Sequence, residues 1–327
     1  MTIRRPFTVL AILFLLLLVP PQTGGAATTT LQFSGGPDGG TFQYFSNGIA
    51  TRLSRLANNL EVNNLSSAGS VENIRRVNTG EANFGIAYAG DIFLAAKGRL
   101  DKDPKNDLNV RVMAYLYGAP VHLVTLASSD IHKVKDLVGH RIAVGGTGSG
   151  AAAAARRYFT ARGLWTRMKI EFIGYSEAAR ALAGGQIDAM WILAGCPNAS
   201  VTQLAARKKI RLVDTWETGT EEQLLQNYPF YDPVTIPAAT YPGLGRDIRT
   251  FQDAALWIVG SQVPSEIVHR ALEDIFSPEG LSYMVKVKST ARAMSITGAL
   301  TGVVTPLHPG AEKFWEERGL TQLPSSP

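Results

Sequence analysis

The stretch Gly145–Gly150 combines four glycines with the hydroxyls of Thr147 and Ser149. It lies between an apolar run, Ile142 to Val144, and an alanine run, Ala151 to Ala155. That order reads as a buried strand, a tight turn and the first turn of a helix. Glycine lets a backbone approach a ligand closely and take positive φ, and alanine favours helix. The first N–H groups of a helix have no partner inside it, so a helix start suits an anion. Three readings stand. Gly146, Gly148 and Ala151 meet the dinucleotide spacing G-x-G-x-x-A, with Glu171 near the next strand. A structural turn that binds nothing is the second. The third is a nest for a carboxylate or phosphate, completed by Thr147 and Ser149. A second glycine-rich loop, Gly35 to Gly40 followed by Thr41, favours the nest.

Enzymatic constellations find little support. No serine has glycine two residues to either side, so the hydrolase elbow is absent. There is no Walker loop and no H-E-x-x-H. His122, His132, His140, His269 and His308 are scattered, and none pairs with Cys196 at metal-ligand spacing, so neither metal nor cofactor is expected. His122 lies in an apolar strand and is either a satisfied buried histidine or a donor facing a ligand. Cys196 reads as a small buried filler rather than a nucleophile. Tyr44 lies one turn into the helix after the first glycine loop and could reach a cleft. Asn73 could cap a helix or offer its amide to a ligand. Tyr88, Tyr175 and Trp191 sit at the ends of predicted elements, where core packing is the simpler role.

The elements that would position these residues recur. Leu31 to Ser34 is a predicted strand, followed by a helix from Thr41 with Phe45, Ile49 and Leu53 on one face. Leu60 to Leu65 is a strand, Ser70 caps a helix over 71–78, and Phe84 to Tyr88 is a strand. The same order returns at Arg141 to Val144, Ala151 to Arg162, Lys169 to Ile173, a helix capped by Ser176, and Ala189 to Ala194. Gly80–Asn83 and Gly185–Asp188 occupy equivalent places. Strands alternating with helices predict parallel sheets in an α/β fold with two lobes, whose helix N-termini would face each other across a cleft. Two apolar runs, 110–117 and 121–126, broken by Gly118 to Pro120, lead across a hinge. Residues 229–242 form an extended return crossing. The expected division is residues 28–126 with 251–327 as one lobe and 127–250 as the other.

Arg4 and Arg5, the apolar run Phe7 to Val19 and the small residues Gly24 to Ala27 read as a secretory signal peptide over residues 1–27. The apolar run is too short for an ordinary membrane span. Export to the periplasm follows as an expectation. The net charge is +5 and no lysine/arginine block occurs, so nucleic acid is not an expected partner. With one cysteine, no internal disulfide can form.

Gly39–Thr41, Ser70–Asn73, Gly80–Asn83, Val144–Gly150, Gly185–Asp188 and Pro306–Ala311 together resemble the TAXI family, the solute receptors of one branch of the tripartite ATP-independent periplasmic (TRAP) transporters. The resemblance runs from about Leu31 to Leu320 and rests on the order and spacing of the motifs. It implies a type II periplasmic-binding-protein fold, a monomer, and no catalysis. It implies capture of a small organic anion (a dicarboxylate, a keto acid or an acidic amino acid such as glutamate) for delivery to TRAP permease subunits. Carried over by position, the pocket includes Gly40, Thr41, Tyr44, Ser67, Asn73, Tyr88, Thr147, Ser149, Gly150, Cys196 and Pro197; His122 joins them on the reading above. Two positions depart from the family pattern. Tyr88 to Gly90 replace a Gln-Ser-Asp-like run, and Ala151 replaces a common threonine. Both fit a carboxylate without an amino group at least as well. The rivals are a ligand-binding partner of a membrane sensor and a secreted enzyme on the same fold.

Overall fold

The computed structural model describes residues 28–56, 60–100, 109–216, 221–303 and 305–321. The signal-peptide expectation lies outside them. The chain begins β1 (Thr29–Ser34), α1 (Thr41–Leu53), β2 (Leu60–Leu65), α2 (Ser70–Asn78), β3 (Phe84–Tyr88) and α3 (Ala89–Ala96). A long strand β4 (Val110–Leu126) leads to β5 (Arg141–Ala143), α4 (Gly150–Ala161), β6 (Lys169–Glu171), α5 (Tyr175–Ala183) and β7 (Ala189–Leu193). Then come α6 (Ala199–Ala205), β8 (Ile210–Val213), α7 (Glu221–Asn227), β9 (Asp232–Ile236) and a second long strand, β10 (Ile248–Gly260). The chain closes with α8 (Ser265–Ile275), α9 (Pro278–Val287) and α10 (Pro309–Glu316).

The predicted repeat is present in the pairing. β2-β1-β3 form a parallel set, and β6-β5-β7 form another in the same order. The equivalent motif residues do equivalent structural work. Asn83 Oδ1 accepts from Gln32 N at 2.8 Å, and Asp188 Oδ2 accepts from Arg141 N at 2.8 Å. Each ties the first strand of its set to the third. Asp188 also takes the Arg141 guanidinium, which holds its carboxyl down at about 2.

The two sets are joined by β4 and β10. Residues 110–120 of β4 pair with β10, and Val121 to Thr125 pair with β7. The expected break at Gly118 to Pro120 does not occur: β4 is one strand through it. Pro120 lacks an N–H, but it sits where β4 exchanges one partner for another, which is where a strand tolerates proline. Each lobe packs its own aromatic core. Phe33, Phe84 and Trp257 cluster in one, and Tyr158, Phe159, Trp191 and Phe251 in the other.

Two caps shift by one position or more. The N-cap of α2 is Gly69 rather than Ser70, and that of α5 is Gly174, with Ser176 inside the helix. Both serines reach outward instead. Ser70 Oγ accepts from Tyr88 N at 2.9 Å, and Ser176 Oγ donates to Asp38 O at 3.2 Å. Helix α3 follows β3 without an intervening loop, and no sequence signal announces it.

Candidate functional site

The glycine stretch folds as expected locally. Gly145 and Gly148 have φ of 98° and 81°, values that favour glycine. Ser149 is the N-cap of α4, and its Oγ accepts from Ala152 N at 3.1 Å. Its oxygen is thereby engaged by the helix, while its O–H proton can still be donated to a ligand. Gly150 has a different reason to be glycine. A Cβ there would lie 2.5 Å from a Tyr88 ring carbon, 2.7 Å from Asp91 Oδ2 and 2.8 Å from Ser70 Cβ. All three belong to the other lobe, so Gly150 permits the lobes to dock.

Where they meet, the starts of four helices converge. Thr41 of α1 and Ser70 of α2 come from one lobe, Gly150 of α4 and Tyr175 of α5 from the other. They line a cavity together with Gly40, Phe42, Tyr88, Leu193 and the loop at Pro37. Among the described residues no charged side chain lines it. Its volume is about 20 Å³, room for one water. The polar groups around it are already paired, Tyr175 within its own lobe and the others across the lobes. The Tyr88 and Tyr175 hydroxyls donate to Leu193 O at 2.6 and 2.8 Å, and Thr41 Oγ1 donates to Gly195 O at 3.4 Å. Asn198 Nδ2 donates to Gly39 O at 3.1 Å. Burial pushes both tyrosine hydroxyls upward, so they stay neutral donors.

Five expected residues therefore come together here: Gly40, Thr41, Tyr88, Ser149 and Gly150. The others do not join them. Asn73 is fully buried within the first lobe. Its amide donates to Gly35 O and Ile86 O at 2.7 Å each, and its Oδ1 accepts from Ser34 and Ser67. Asn73 and Ser67 thus pin the glycine loop to β3 and offer nothing to the cleft. Tyr44 is half-exposed, its ring 5.3 Å from Lys288 Nζ. Thr147 is exposed. His122, Cys196 and Pro197 form a separate cluster. His122 Nδ1 lies 3.0 Å from Pro120 O and Nε2 lies 2.7 Å from the Tyr241 hydroxyl. This network fits a neutral ring with its proton on Nδ1. Burial pulls its pKa down to about 4. The Tyr241 hydroxyl also accepts from Asn198 N at 2.8 Å and lies 3.7 Å from Cys196 Sγ. Burial raises the Cys196 thiol, which suits the filler role. The Cys196–Pro197 bond is cis, and Pro197 O accepts from Lys288 Nζ at 3.0 Å.

One interlobe contact had no signal in the sequence. Asp91 of α3, wholly buried, pairs with Arg157 of α4 at 3.0 Å. Arg157 Nε donates to the Tyr231 hydroxyl at 2.9 Å. Asp253 of β10, also wholly buried, accepts from Gly90 N at 3.2 Å. Burial and the Asp91 charge push the Asp253 carboxyl well above the usual range, against the pull of Arg157. The Oδ2 atoms of Asp91 and Asp253 have no hydrogen-bond partner.

A second cavity, of about 530 Å³, lies beyond the contact between α2 and α4 made by Glu72 N and Gly148 O at 3.2 Å. Thr147 and Ser149 reach it from the glycine loop, and Val71, Arg75, Arg156, Trp165 and Phe172 shape its walls.

Residues 33–319 match the model of the NMT1-like family. Several solved structures share the fold at low identity. The alkanesulfonate-binding protein SsuA from Xanthomonas axonopodis pv. citri, bound to MOPS, is 15% identical with a TM-score of 0.50, covering 90% of this chain and 92% of its own. A structure described as a periplasmic transporter is 14% identical with a TM-score of 0.52, over 88% and 92%. A structure from work on glutathione import through GshT and the cystine importer TcyBC of Streptococcus mutans is 12% identical with a TM-score of 0.50, over 81% and 96%. The mixed α/β fold with two lobes is thus that of periplasmic binding proteins.

Proposed function

The chain belongs to the NMT1-like family, and on that premise we propose that it is a periplasmic solute receptor that captures a small organic anion between its lobes and presents it to a TRAP permease of the TAXI type. One observation carries the reading: helix starts from both lobes converge on a single cavity without a charged side chain among the described residues. Each such helix end favours an anion by about 0.3–1 kcal/mol, and several must act together to offset the desolvation of a carboxylate. Neutral hydroxyls from Thr41, Ser70, Tyr88 and Tyr175 supply the remaining donors once their present partners are released.

The docked lobes leave room for a water, so the ligand enters after they part. The hinge is β4 at Pro120–Val121 together with β10 near Thr250, whose Oγ1 donates to Val121 O at 2.9 Å. With that hinge the lobes are residues 28–120 with 252–327, and 121–251; residues 121–126 and Phe251 go to the second lobe rather than the first, as the pairing of β4 with β7 and β8 and the packing of Phe251 on Tyr158 and Trp191 support. A ligand shifts the population between parted and docked forms by its differential affinity for the two. The ligand class is a dicarboxylate, keto acid or acidic amino acid. Among the structural neighbours, SsuA binds alkanesulfonates, and the Streptococcus mutans structure belongs to glutathione import through a cystine ABC importer. An ABC permease is therefore the alternative partner.

A thermal-shift screen with dicarboxylates, keto acids and acidic amino acids, followed by calorimetry, tests the reading. At least one of them raises the melting temperature, and Thr41→Ala with Ser149→Ala lowers its affinity. If none stabilises the protein, the cleft is not an anion site. Turnover of any of these compounds by the purified protein would favour the secreted-enzyme rival.

A further inference from the structure

The outer cavity of about 530 Å³ beyond α2 and α4 has its Arg75 engaged by Glu81 at 3.5 Å. A cation of another kind stands at the rim of the cleft. Lys288, which ends α9 in the first lobe, is half-buried. Its Nζ donates to Pro197 O of the second lobe at 3.0 Å and lies 5.3 Å from the centre of the Tyr44 ring. Both partners are neutral. Among the described residues no carboxylate lies within 4 Å of it. Burial pulls the amine below the usual lysine range, with the Cys196 thiol pulling the other way. That is the direction expected of an ammonium that has lost water and gained no counter-ion.

Lys288 is the last of three donors in a row. Thr41 Oγ1 donates to Gly195 O at 3.4 Å, Thr290 Oγ1 to Cys196 O at 3.5 Å and Lys288 Nζ to Pro197 O at 3.0 Å. Three side chains of the first lobe thus meet three successive carbonyls of the second. The row begins at the cleft, since Thr41 lines its cavity. Gly195 leaves no slack between the threonines: a Cβ there would lie 2.6 Å from Thr290 Cγ2 and 3.0 Å from Thr41 Cγ2. Both hydroxyl bonds are longer than the usual value of about 2.7–2.8 Å, so they are weakly held. When the lobes part, two hydroxyls and an ammonium are released together on one edge of the first lobe. Hydrogen bonds between ionised groups are about twice as strong as neutral ones. A carboxylate therefore outcompetes these carbonyls for the row, most of all for Lys288.

We propose that Thr41, Thr290 and Lys288 form the edge of the cleft that receives a ligand carboxylate, with Lys288 as its cation, and that this carboxylate takes the donors that the carbonyls of residues 195–197 hold in the docked form. This rests on the cleft reading and deepens it. The cavity itself has no charged side chain among the described residues, so helix ends alone would have to offset the desolvation of the anion. Lys288 adds a full charge to theirs. The Tyr44 ring holds the amine from the side, through a cation–π contact.

Calorimetry with succinate, 2-oxoglutarate and L-glutamate tests it. At least one of them binds the parent protein. Lys288→Met weakens that compound by about tenfold or more, and Thr290→Val by about three- to tenfold. Lys288→Glu weakens it by about tenfold beyond Lys288→Met, because it sets a like charge against the ligand. A side chain that merely tied the lobes together would be missed equally in both. Lys288→Arg keeps the charge and loses less than Lys288→Met. Lys286→Met, at an exposed lysine of α9, makes the same change in net charge and leaves affinity as it was. If Lys288→Met does not fold, Lys288→Gln replaces it. If a compound binds the parent and Lys288→Met keeps the parent affinity, Lys288→Glu only matches Lys288→Met, or Lys286→Met weakens binding as much, the assignment falls and the cleft reading stands. If none of the three compounds binds, the cleft reading falls and takes the assignment with it.

Discussion

The cleft and the outer cavity flank the same contact between α2 and α4, and Ser149 lines both. In the cleft, Tyr88 and Thr41 of one lobe spend their hydroxyls on carbonyls of the other, and what remains has room for a single water. In the outer cavity, Trp165 and Phe172 line open volume, and Arg75 lies 3.5 Å from Glu81 Oε2. The cleft is therefore a place the protein closes upon itself, and a ligand there competes with internal hydrogen bonds. Convergent helix ends alone do not describe a usable site; the pairing of the groups around them decides what a ligand must displace.

The sharpest way to break the comparison is to undo the docking that seals the cleft. Arg157→Met removes the cation from Asp91 and leaves Asp91 and Asp253 buried without it. Losing one partner of a buried pair costs about 3–5 kcal/mol, read as a drop in the denaturant midpoint at pH 7. The same variant has a distinctive pH response. The Asp253 carboxyl, held high in the native state, favours folding while protonated, and that contribution is lost as pH rises through its native value. Arg157→Met should therefore regain stability relative to the parent as pH is lowered toward about 5. A uniform deficit at every pH would mean that the Asp253 carboxyl is not the cause.

His122 gives the opposite pH sign. Its native pKa is about 4, against about 6.5 when unfolded. The unfolded chain binds the extra proton between those values, so stability falls as pH drops through that window. The loss is roughly 3 kcal/mol by pH 4. His122→Gln should flatten this part of the stability–pH curve. An unchanged slope would show that the imidazole is protonated in the folded protein and that the Tyr241 bond is drawn with the wrong donor.

Much of this architecture is legible in the sequence because its signals are local. Glycine loops followed by helix formers, apolar strands and a repeated Gly-x-x-Asn/Asp motif recur in order, and the repeat β1-α1-β2-α2-β3 and β5-α4-β6-α5-β7 follows. Helix α3 was not legible, since Tyr88 runs into Ala89 with no proline or loop between. The site is legible only in part. Ser149 and Gly150 stand where the loop pattern puts them, but Asn73 and Ser67 turn inward to Gly35 and β3. Asp91 and Arg157 lie 66 residues apart, and no spacing rule links them. The capture of the Tyr88 hydroxyl by Leu193 O depends on how the lobes dock, which no local pattern encodes.

The smallest effects separate two hydroxyls that the glycine pattern treats alike. Ser149 caps α4 through Ala152 N, so Ser149→Ala should cost about 1 kcal/mol, within the usual range for an N-cap. Thr147 is exposed, and the helix start takes its cap from Ser149 instead, so Thr147→Ala should change stability by less than about 0.5 kcal/mol. Chemical denaturation of the two variants side by side checks this order. Ligand binding then sharpens it, because Thr147 lines the outer cavity and not the cleft. Thr147→Ala should leave carboxylate affinity as it was. If it weakened a carboxylate that Ser149→Ala also weakens, the two cavities would be serving one ligand, and the contact between α2 and α4 would have to open for it to bind.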